Sequence, residues 1–241
     1  MQAIEIGNSE IEYKVIRSDR KTLGLEISKE EGLKVRAPRS VEEERIEEVI
    51  KKKADWILKK QERLDKIKSS PKKKEFLSGE KLTYLGRRYR IKLRKKEMKG
   101  VQISLYQGKF YIDVDKRIPK KDRRAEVKKE LISWYRKKAE KRITERVAKY
   151  KSQIGVAPNS VKIKKQKKRW GSCSSLGNLN FNWKIIMAPM SVIDYLVVHE
   201  LAHLKYPNHS KDFWNLVASV IPDYKKKKEW LRVNGNLLDI V

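Results

Sequence analysis

The run His199-Glu200-Leu201-Ala202-His203-Leu204-Lys205-Tyr206-Pro207-Asn208-His209 holds all three histidines of a 241-residue chain. His199 and His203 are four residues apart, so on a helix they lie one turn apart on the same face. Two imidazole nitrogens placed in this way can reach one ion at the roughly 2.0–2.1 Å that zinc prefers. Glu200 follows by about 100° of helical rotation, so it sits beside such an ion and can act on a bound water instead of ligating. Three neutral imidazoles and one carboxylate are the set that serves a catalytic zinc ion with an open position.

The flanking residues predict the helix. Pro189 and Ser191 mark its start, with Ser191-x-x-Asp194 resembling an acidic capping box. Val192, Leu196, His199 and His203 form one stripe, and Val197, Leu201 and Leu204 add apolar surface. Pro207 disfavours helical geometry at Tyr206, so the helix should stop near Lys205. Pro207-Asn208 then turns the chain, and Ser210 can cap a second helix carrying Phe213, Trp214, Leu216 and Val217. Such a turn returns His209 toward the first two ligands as the third. A glutamate from a later helix is the competing third ligand, and Glu229 is its one candidate. Asp212 and Asp223 are shorter and suit caps or outer support. The metzincin pattern fits poorly, because Tyr206 stands where that pattern has glycine and no methionine follows Met190 to build a Met-turn.

Lys and Arg total 60 against 31 acidic residues, a formal charge of +29. Residues 171–220 are neutral by contrast, with Lys184, Lys205 and Lys211 set against Asp194, Glu200 and Asp212. The excess sits in runs such as Lys51-Lys52-Lys53, Pro71-Lys72-Lys73-Lys74, Arg87-Arg88-Tyr89-Arg90, Lys162 to Arg169 and Lys225 to Lys228. A neutral centre flanked by cationic surfaces suits a substrate that is, or is held by, a polyanion. Lys and Glu enrichment of a thermophile-like surface explains the charged fraction but not a two-to-one basic imbalance. No base-reading motif is visible, so any nucleic-acid affinity is expected to be non-specific.

The single cysteine, Cys173, excludes an intramolecular disulfide and fits a reducing compartment. Residues 1–6 lack the pattern of a signal peptide, and the most apolar stretch, Trp183 to Leu204, carries too many charged and imidazole groups to span a membrane. A soluble cytoplasmic protein is expected, and the sequence sets no oligomeric state.

The rest reads as an α+β chain. Ile11–Val15, Leu23–Ile27 and Leu33–Arg36 are short strands with a hairpin turn at Glu31-Gly32. Residues 41–67 carry a helical stripe of Ile46, Val49, Ile50, Ala54 and Ile57, ending at Ser69-Ser70-Pro71. A second strand-rich block runs from Lys81 to Val114 with a turn at Gln107-Gly108. A long basic helix covers about 121–151, with Val127, Leu131, Trp134, Tyr135 and Ala139 as its apolar stripe. A basic strand then leads into Arg169-Trp170-Gly171-Ser172-Cys173-Ser174-Ser175 and a turn at Leu176-Gly177-Asn178. Leu179, Phe181 and Trp183 alternate with Asn180, Asn182 and Lys184, marking a half-buried strand. An edge strand beside the metal-site helix is where an extended peptide could add by backbone pairing. The six tryptophans read as core instead of stacking platforms, and no internal repeat is visible. Two regions are expected: a β-rich one with one helix over 1–118, and a catalytic one over 119–241.

Arg169-Trp170-Gly171-Ser172-Cys173-Ser174, Asn182, Pro189, Asp194-Tyr195, the histidine run and Ser210 with Phe213-Trp214 resemble the YgjP-like zinc metallopeptidases, relatives of the SprT and Spartan proteases. Ala37-Pro38, Trp56-Ile57, Phe76-Leu77-Ser78-Gly79-Glu80 and Tyr84-Leu85-Gly86 extend the resemblance over nearly the whole chain. It implies a zincin-like (minigluzincin) core with one Zn2+ ion held by His199, His203 and His209, and Glu200 as the catalytic residue. It also implies proteolysis near DNA in the SprT and Spartan relatives, and a nucleotide (UTP) pyrophosphatase activity attached to some members.

The leading expectation is amide hydrolysis of a polypeptide, with Glu200 as general base to a zinc-activated water. No histidine is spare as oxyanion donor, so Tyr195, Tyr206, Tyr224 and Arg169 are the candidates. Asn182 either binds substrate or closes a strand end. Cys173 reads as a small residue in a tight turn more readily than as an inhibitory metal ligand, and it lacks a histidine to act as its base. Two rival functions remain. A nucleotide hydrolase could use the same metal, although magnesium chemistry would want more clustered carboxylates. A basic binding module could hold a structural zinc, whose fourth ligand could only be Cys173.

Overall fold

Period-two burial builds the first unit of the computed structural model, which describes residues 2–7, 9–69 and 73–240. Its strands are β1 (Gln2–Ile6), β2 (Ser9–Ser18), β3 (Gly24–Ser28) and β4 (Gly32–Pro38). They form a sheet of order β1-β2-β4-β3, parallel between β2 and β4 and antiparallel at both flanks. Ile11 and Tyr13 on β2, with Leu33, Val35 and Ala37 on β4, point to one buried face. Ile46, Ile50, Ala54 and Ile57 complete that core from the helices α1 (Glu43–Lys52) and α2 (Ala54–Asp65). The one helix expected over 41–67 is thus two, because Lys53 leaves helical geometry at φ −109°, ψ 9°. Its expected end at Ser70-Pro71, and Lys72 of the basic run there, lie outside the described residues. Strand β1, which the side-chain pattern does not predict, pairs along its whole length with β2, from Gln2↔Tyr13 to Ile6↔Ser9.

The chain divides into two units between Lys68 and Ser69, whereas the sequence pattern placed the line at 118/119. The second strand block is β5 (Lys81–Tyr84), β6 (Arg87–Lys96), β7 (Val101–Tyr106) and β8 (Lys109–Asp115), and it belongs with the long helix α3 (Lys120–Ile154). Ile91, Phe110, Ile112 and Val114 share one buried cluster with Val127, Leu131 and Tyr135 of that helix. The sheet order is β5-β6-β8-β7, again parallel in the middle and antiparallel at the flanks. The two sheets therefore share one topology, a repeat that the side chains do not advertise. Helix α3, about 50 Å long at 1.5 Å per residue, buries Val127, Leu131, Tyr135, Ala139, Ile143, Val147, Tyr150 and Ile154. That stripe, at spacings of four and three, drives it along the core instead of leaving it a solvated basic rod. Trp134 lies at the margin, edge-on to Tyr84 and Phe110 at 5.1 and 5.0 Å.

A three-stranded sheet of β9 (Ser160–Lys164), β10 (Gly171–Cys173) and β11 (Asn178–Asn182) comes next, in order β10-β11-β9. The alternating Leu179 and Phe181 therefore lie on the central strand, and β10 is the edge. Trp183 opens a 3-10 turn, Trp183–Met187, and does not extend the strand. Helices α4 (Met190–Ala202), α5 (Lys211–Val220) and α6 (Tyr224–Asn234) complete the unit. Helix α4 buries residues on every side, including Val192, Ile193, Leu196, Val197, Val198 and Leu201, as a helix threaded through a core must.

Two attachments set the position of α4. The Leu85 and Gly86 amides donate to the Ile186 and Met187 carbonyls at 3.0 and 2.9 Å. Gly86 has φ +78°, and a Cβ there would stand 2.8 Å from Pro189 Cγ, so only glycine lets the β5–β6 turn press on the start of α4. Arg146 of α3 grips Asp194 of α4 through two hydrogen bonds, one of them 2.9 Å from Nη2 to Oδ2. The expected Ser191 cap does not form. The helix begins at Met190 behind Pro189 with no side-chain cap, and Asp194 is committed to Arg146.

On β8, Asp113 and Asp115 face cations. Burial alone would raise the Asp113 carboxyl, but Arg94 and Lys96 bring it below its ordinary value. Arg117, through its side chain and backbone amide, holds Asp115 down at about 2. A depressed carboxyl stabilises the fold above its unfolded pKa of about 4, and that contribution is lost as pH falls through the folded value. We expect the melting temperature to drop between pH about 4 and 2, and Asp115→Asn to flatten that part of the curve. An unchanged curve in the variant would remove Asp115 from the acid response.

Candidate metal centre and cleft

The end of α4 supplies the first groups. His199 and Glu200 lie in its last turn, and His203 is its C-terminal cap residue. The chain then winds down through Lys205 and Tyr206, whose amides both donate to the Ala202 carbonyl. After Pro207-Asn208, the Ser210 hydroxyl accepts from the Phe213 amide at 3.3 Å and starts α5, as its residue type predicts. This path returns His209 to the cluster. The Lys205 ammonium donates to the Ile154 carbonyl at 2.7 Å, a cation at the C-terminal end of α3 that ties the loop down.

One nitrogen each from His199, His203 and His209 lie within 4.8 Å of one another. The Nε2 atoms of His199 and His209 are 3.2 Å apart, and two nitrogens on a tetrahedral zinc stand roughly 3.3 Å apart. The donor set thus fits the ion. Burial first, and then the neighbouring His203 and His209, push His199 down to about 3. His209 is lowered too, chiefly by burial. Neutral imidazole is the form that ligates. His203 Nδ1 lies 3.1 Å from the Tyr206 carbonyl, and a carbonyl only accepts. The proton therefore sits on Nδ1 and leaves the Nε2 lone pair for the cluster.

Each remaining expected residue has a definite place. Glu229 pairs with Arg232 on α6 and is not part of the nitrogen cluster. Asp223 pairs with Lys227 at 2.8 Å, and Asp212 lies in the first turn of α5. Tyr206 contributes its backbone carbonyl. Tyr195 is buried one turn before His199, its ring 5.8 Å from that imidazole; burial, then Glu200 and Tyr224, raise its hydroxyl. Tyr224 stacks on Trp214 at 5.1 Å, and Trp214 stacks on His209 at 5.4 Å. Asn182 donates to the Gln166 and Arg169 carbonyls and accepts from the Lys184 amide, so it closes the strand end.

Glu200 is 4% exposed. Burial pushes its carboxyl up to about 8, opposed by the Arg169 guanidinium. A cation held at the imidazoles would pull it back down. Gly171 on β10 packs directly against it, and a Cβ there would stand 2.4 Å from Glu200 Oε1. These groups face a cleft of about 1200 Å³ bounded by β10, the Ser174–Gly177 turn, the end of α4 and Pro207. Arg169 and Cys173 line it too, and burial followed by Glu200 raises the Cys173 thiol.

Gly171 and Trp214 stand in the quoted motifs and Lys228 in a basic run, but their roles are not legible there: Gly171 packs on Glu200, Trp214 is a platform for His209, and the Lys228 ammonium lies 4.2 Å from the Trp214 ring centre. Each role acts across elements. Among the described residues no helix is long and apolar enough to cross a membrane.

A helix end, a capped return and three converging imidazoles beside a buried carboxylate are the frame of a metal-dependent hydrolase. Residues 21–234 match the family described as YgjP-like, metallopeptidase domain. The chain belongs to this family and is a hydrolase of the zinc-metallopeptidase class. No curated protein matches it. Two solved structures are similar to part of it. The metallopeptidase zymogen of Pyrococcus abyssi abylysin shares 25% identity, with TM-score 0.35, over 39% of this chain and 94% of that one. The zymogen of Methanocaldococcus jannaschii jannalysin shares 21% identity, with TM-score 0.32, over 36% of this chain and 92% of that one. Both overlaps are loose and neither bears on the residues of the site.

The contact at Gly171 is testable. Gly171→Ala should leave the fold intact, with its melting temperature within a few degrees, while displacing the Glu200 carboxylate. A shift of about 1 Å at a reacting group costs on the order of 100-fold in rate. Peptidase assays beside thermal melts check this, and wild-type turnover in the variant would show that the carboxylate is not held by that contact.

Proposed function

We propose that this chain cleaves polypeptides with one Zn2+ ion held by His199, His203 and His209, and with Glu200 as general base. The observation that carries the reading is the convergence of three imidazoles beside a buried carboxylate at a cleft walled by edge strand β10. Zinc bound there supplies Lewis acidity that brings a water toward a pKa of about 7. Glu200 takes the proton of the attacking water and returns it to the leaving amine. Edge strand β10 offers its unpaired backbone to an extended substrate, and Arg169, lining the cleft, suits charge developing on the scissile carbonyl. We read this assembly as a zincin-like core within the second unit, Ser69–Val241, working in a reducing cytoplasm that suits the lone thiol of Cys173.

Zinc-loaded protein offered an unstructured polypeptide should cleave it. Glu200→Gln should keep one equivalent of zinc by elemental analysis while losing about 10²–10⁴ in rate, and His203→Ala should lose the metal. Turnover of UTP with no peptide cleavage would replace this reading with a nucleotide pyrophosphatase. Zinc retention with neither activity would leave a structural site.

Nucleic acid enters the proposal through charge. The exposed run Lys164-Lys165 and Lys167-Lys168 leads into Arg169 at the cleft, so a polyanion bound there sets the cleft beside whatever protein shares it. DNA binding should be independent of sequence and fall steeply with salt, and Lys167→Glu with Lys168→Glu should weaken it. Salt-insensitive binding, or none, would confine the function to peptides.

A further inference from the structure

We propose that the outer face of the β5-β6-β8-β7 sheet binds a single-stranded nucleic acid, with tyrosines as stacking platforms and a row of cations along its phosphates. The face shares no residue with the lining of the cleft, so it is a second binding surface and needs no catalysis.

Strand register decides which side chains share the face. Residues paired across neighbouring strands point the same way, and Leu82, Tyr89, Ile91, Phe110 and Ile112 turn inward to the core. The alternate set on β6, Arg88, Arg90, Lys92, Arg94 and Lys96, therefore points outward. These five cations recur every second residue, about 6.6 Å apart. A merely solvated face intersperses both signs; this strand presents one.

Across the strands, Lys81, Arg90 and Lys109 stand directly opposite one another. Like charges so placed destabilise a sheet, and none of the three is ion-paired among the described residues. The carboxylates of the face, Asp113 and Asp115, are buried and already taken, by Arg94 with Lys96 and by Arg117. A polyanion laid over the face relieves the repulsion.

Bases have a place to lie as well. The cross-strand row ends at Tyr106 on β7, which is opposite Lys109 and 63% exposed. Tyr111 on β8 is its diagonal neighbour, a spacing of about 7–8 Å. The Arg94 guanidinium lies over the Tyr111 ring, 4.4 Å from its centre. Aromatic faces and guanidinium planes are what unpaired bases stack on, whereas a duplex keeps its base faces stacked on each other. A membrane is a poorer fit, because the remaining outward residues, Thr83, Gln102 and Ser104, supply no aliphatic side chain to insert.

Fluorescence anisotropy with a labelled oligo(dT) of about 12 nucleotides tests this surface. The full chain carrying Lys167→Glu and Lys168→Glu is used, which removes the cleft-side run. The strand should bind that protein, and more tightly than a duplex of equal length at the same salt. Adding Arg90→Gln with Lys92→Gln should weaken binding and reduce the slope of log affinity against log salt by about 1.4. Adding Tyr106→Ala should weaken it about fivefold or more, while Tyr106→Phe should preserve it. Circular dichroism checks that each variant is folded, and phosphatidylserine vesicles serve as the competing probe. No binding of the strand, a duplex bound as tightly, or an unchanged affinity in either weakened variant overturns the surface. Vesicles bound through Arg90 and Lys92 in place of the strand overturn it too. None of these outcomes touches the peptidase reading, and a failure of that reading leaves this surface standing.

Discussion

Helix α4 has to carry two imidazoles and a carboxylate through an interior that disfavours all three. It is buried on every side along most of its length, and the polar groups cluster at its last turn, where the core opens to the cleft. Desolvation there keeps His199 neutral and drives Glu200 toward its protonated form. The same burial would be costly with nothing to receive the lone pairs. The rest of the second unit holds this helix still: the β5–β6 turn against Pro189, Arg146 on Asp194, Lys205 on the end of α3, and Gly171 against the carboxylate.

Trp214 shows how the return loop is held. His209 comes from an exposed loop and has no helix of its own, so its ring is steadied by stacking on Trp214, which stacks in turn on Tyr224. Lys228 lies over the same indole as a cation against a π face. An imidazole drawn from a loop is thereby braced by side chains of two helices.

Much of this was legible in the residues. The i, i+4 histidines, Pro207 and Ser210 specify a helix, its end and the next helix by local rules alone, and the structure follows them except that α4 ends at Ala202, three residues before the expected stop near Lys205. Periodicity also located α3 and most strands. What local rules could not reach depended on partners distant in sequence. Ser191 has the residue type of a cap, but Asp194, its would-be box partner, serves Arg146, 48 positions earlier. The strand of Leu179 and Phe181 reads equally well as edge or centre, and only its pairing with both β9 and β10 decides. The unit boundary went astray because a change from strand to helix pattern looks like a border, while the shared core of β8 and α3 shows only in three dimensions.

The repeated sheet topology bears on how the chain is made. Each sheet closes from one continuous stretch, Gln2–Pro38 and Lys81–Asp115, so both can form as the chain leaves the ribosome, N-terminal first. The imidazoles arrive only with residues 199–209, so the cluster can assemble only after both sheets have been made.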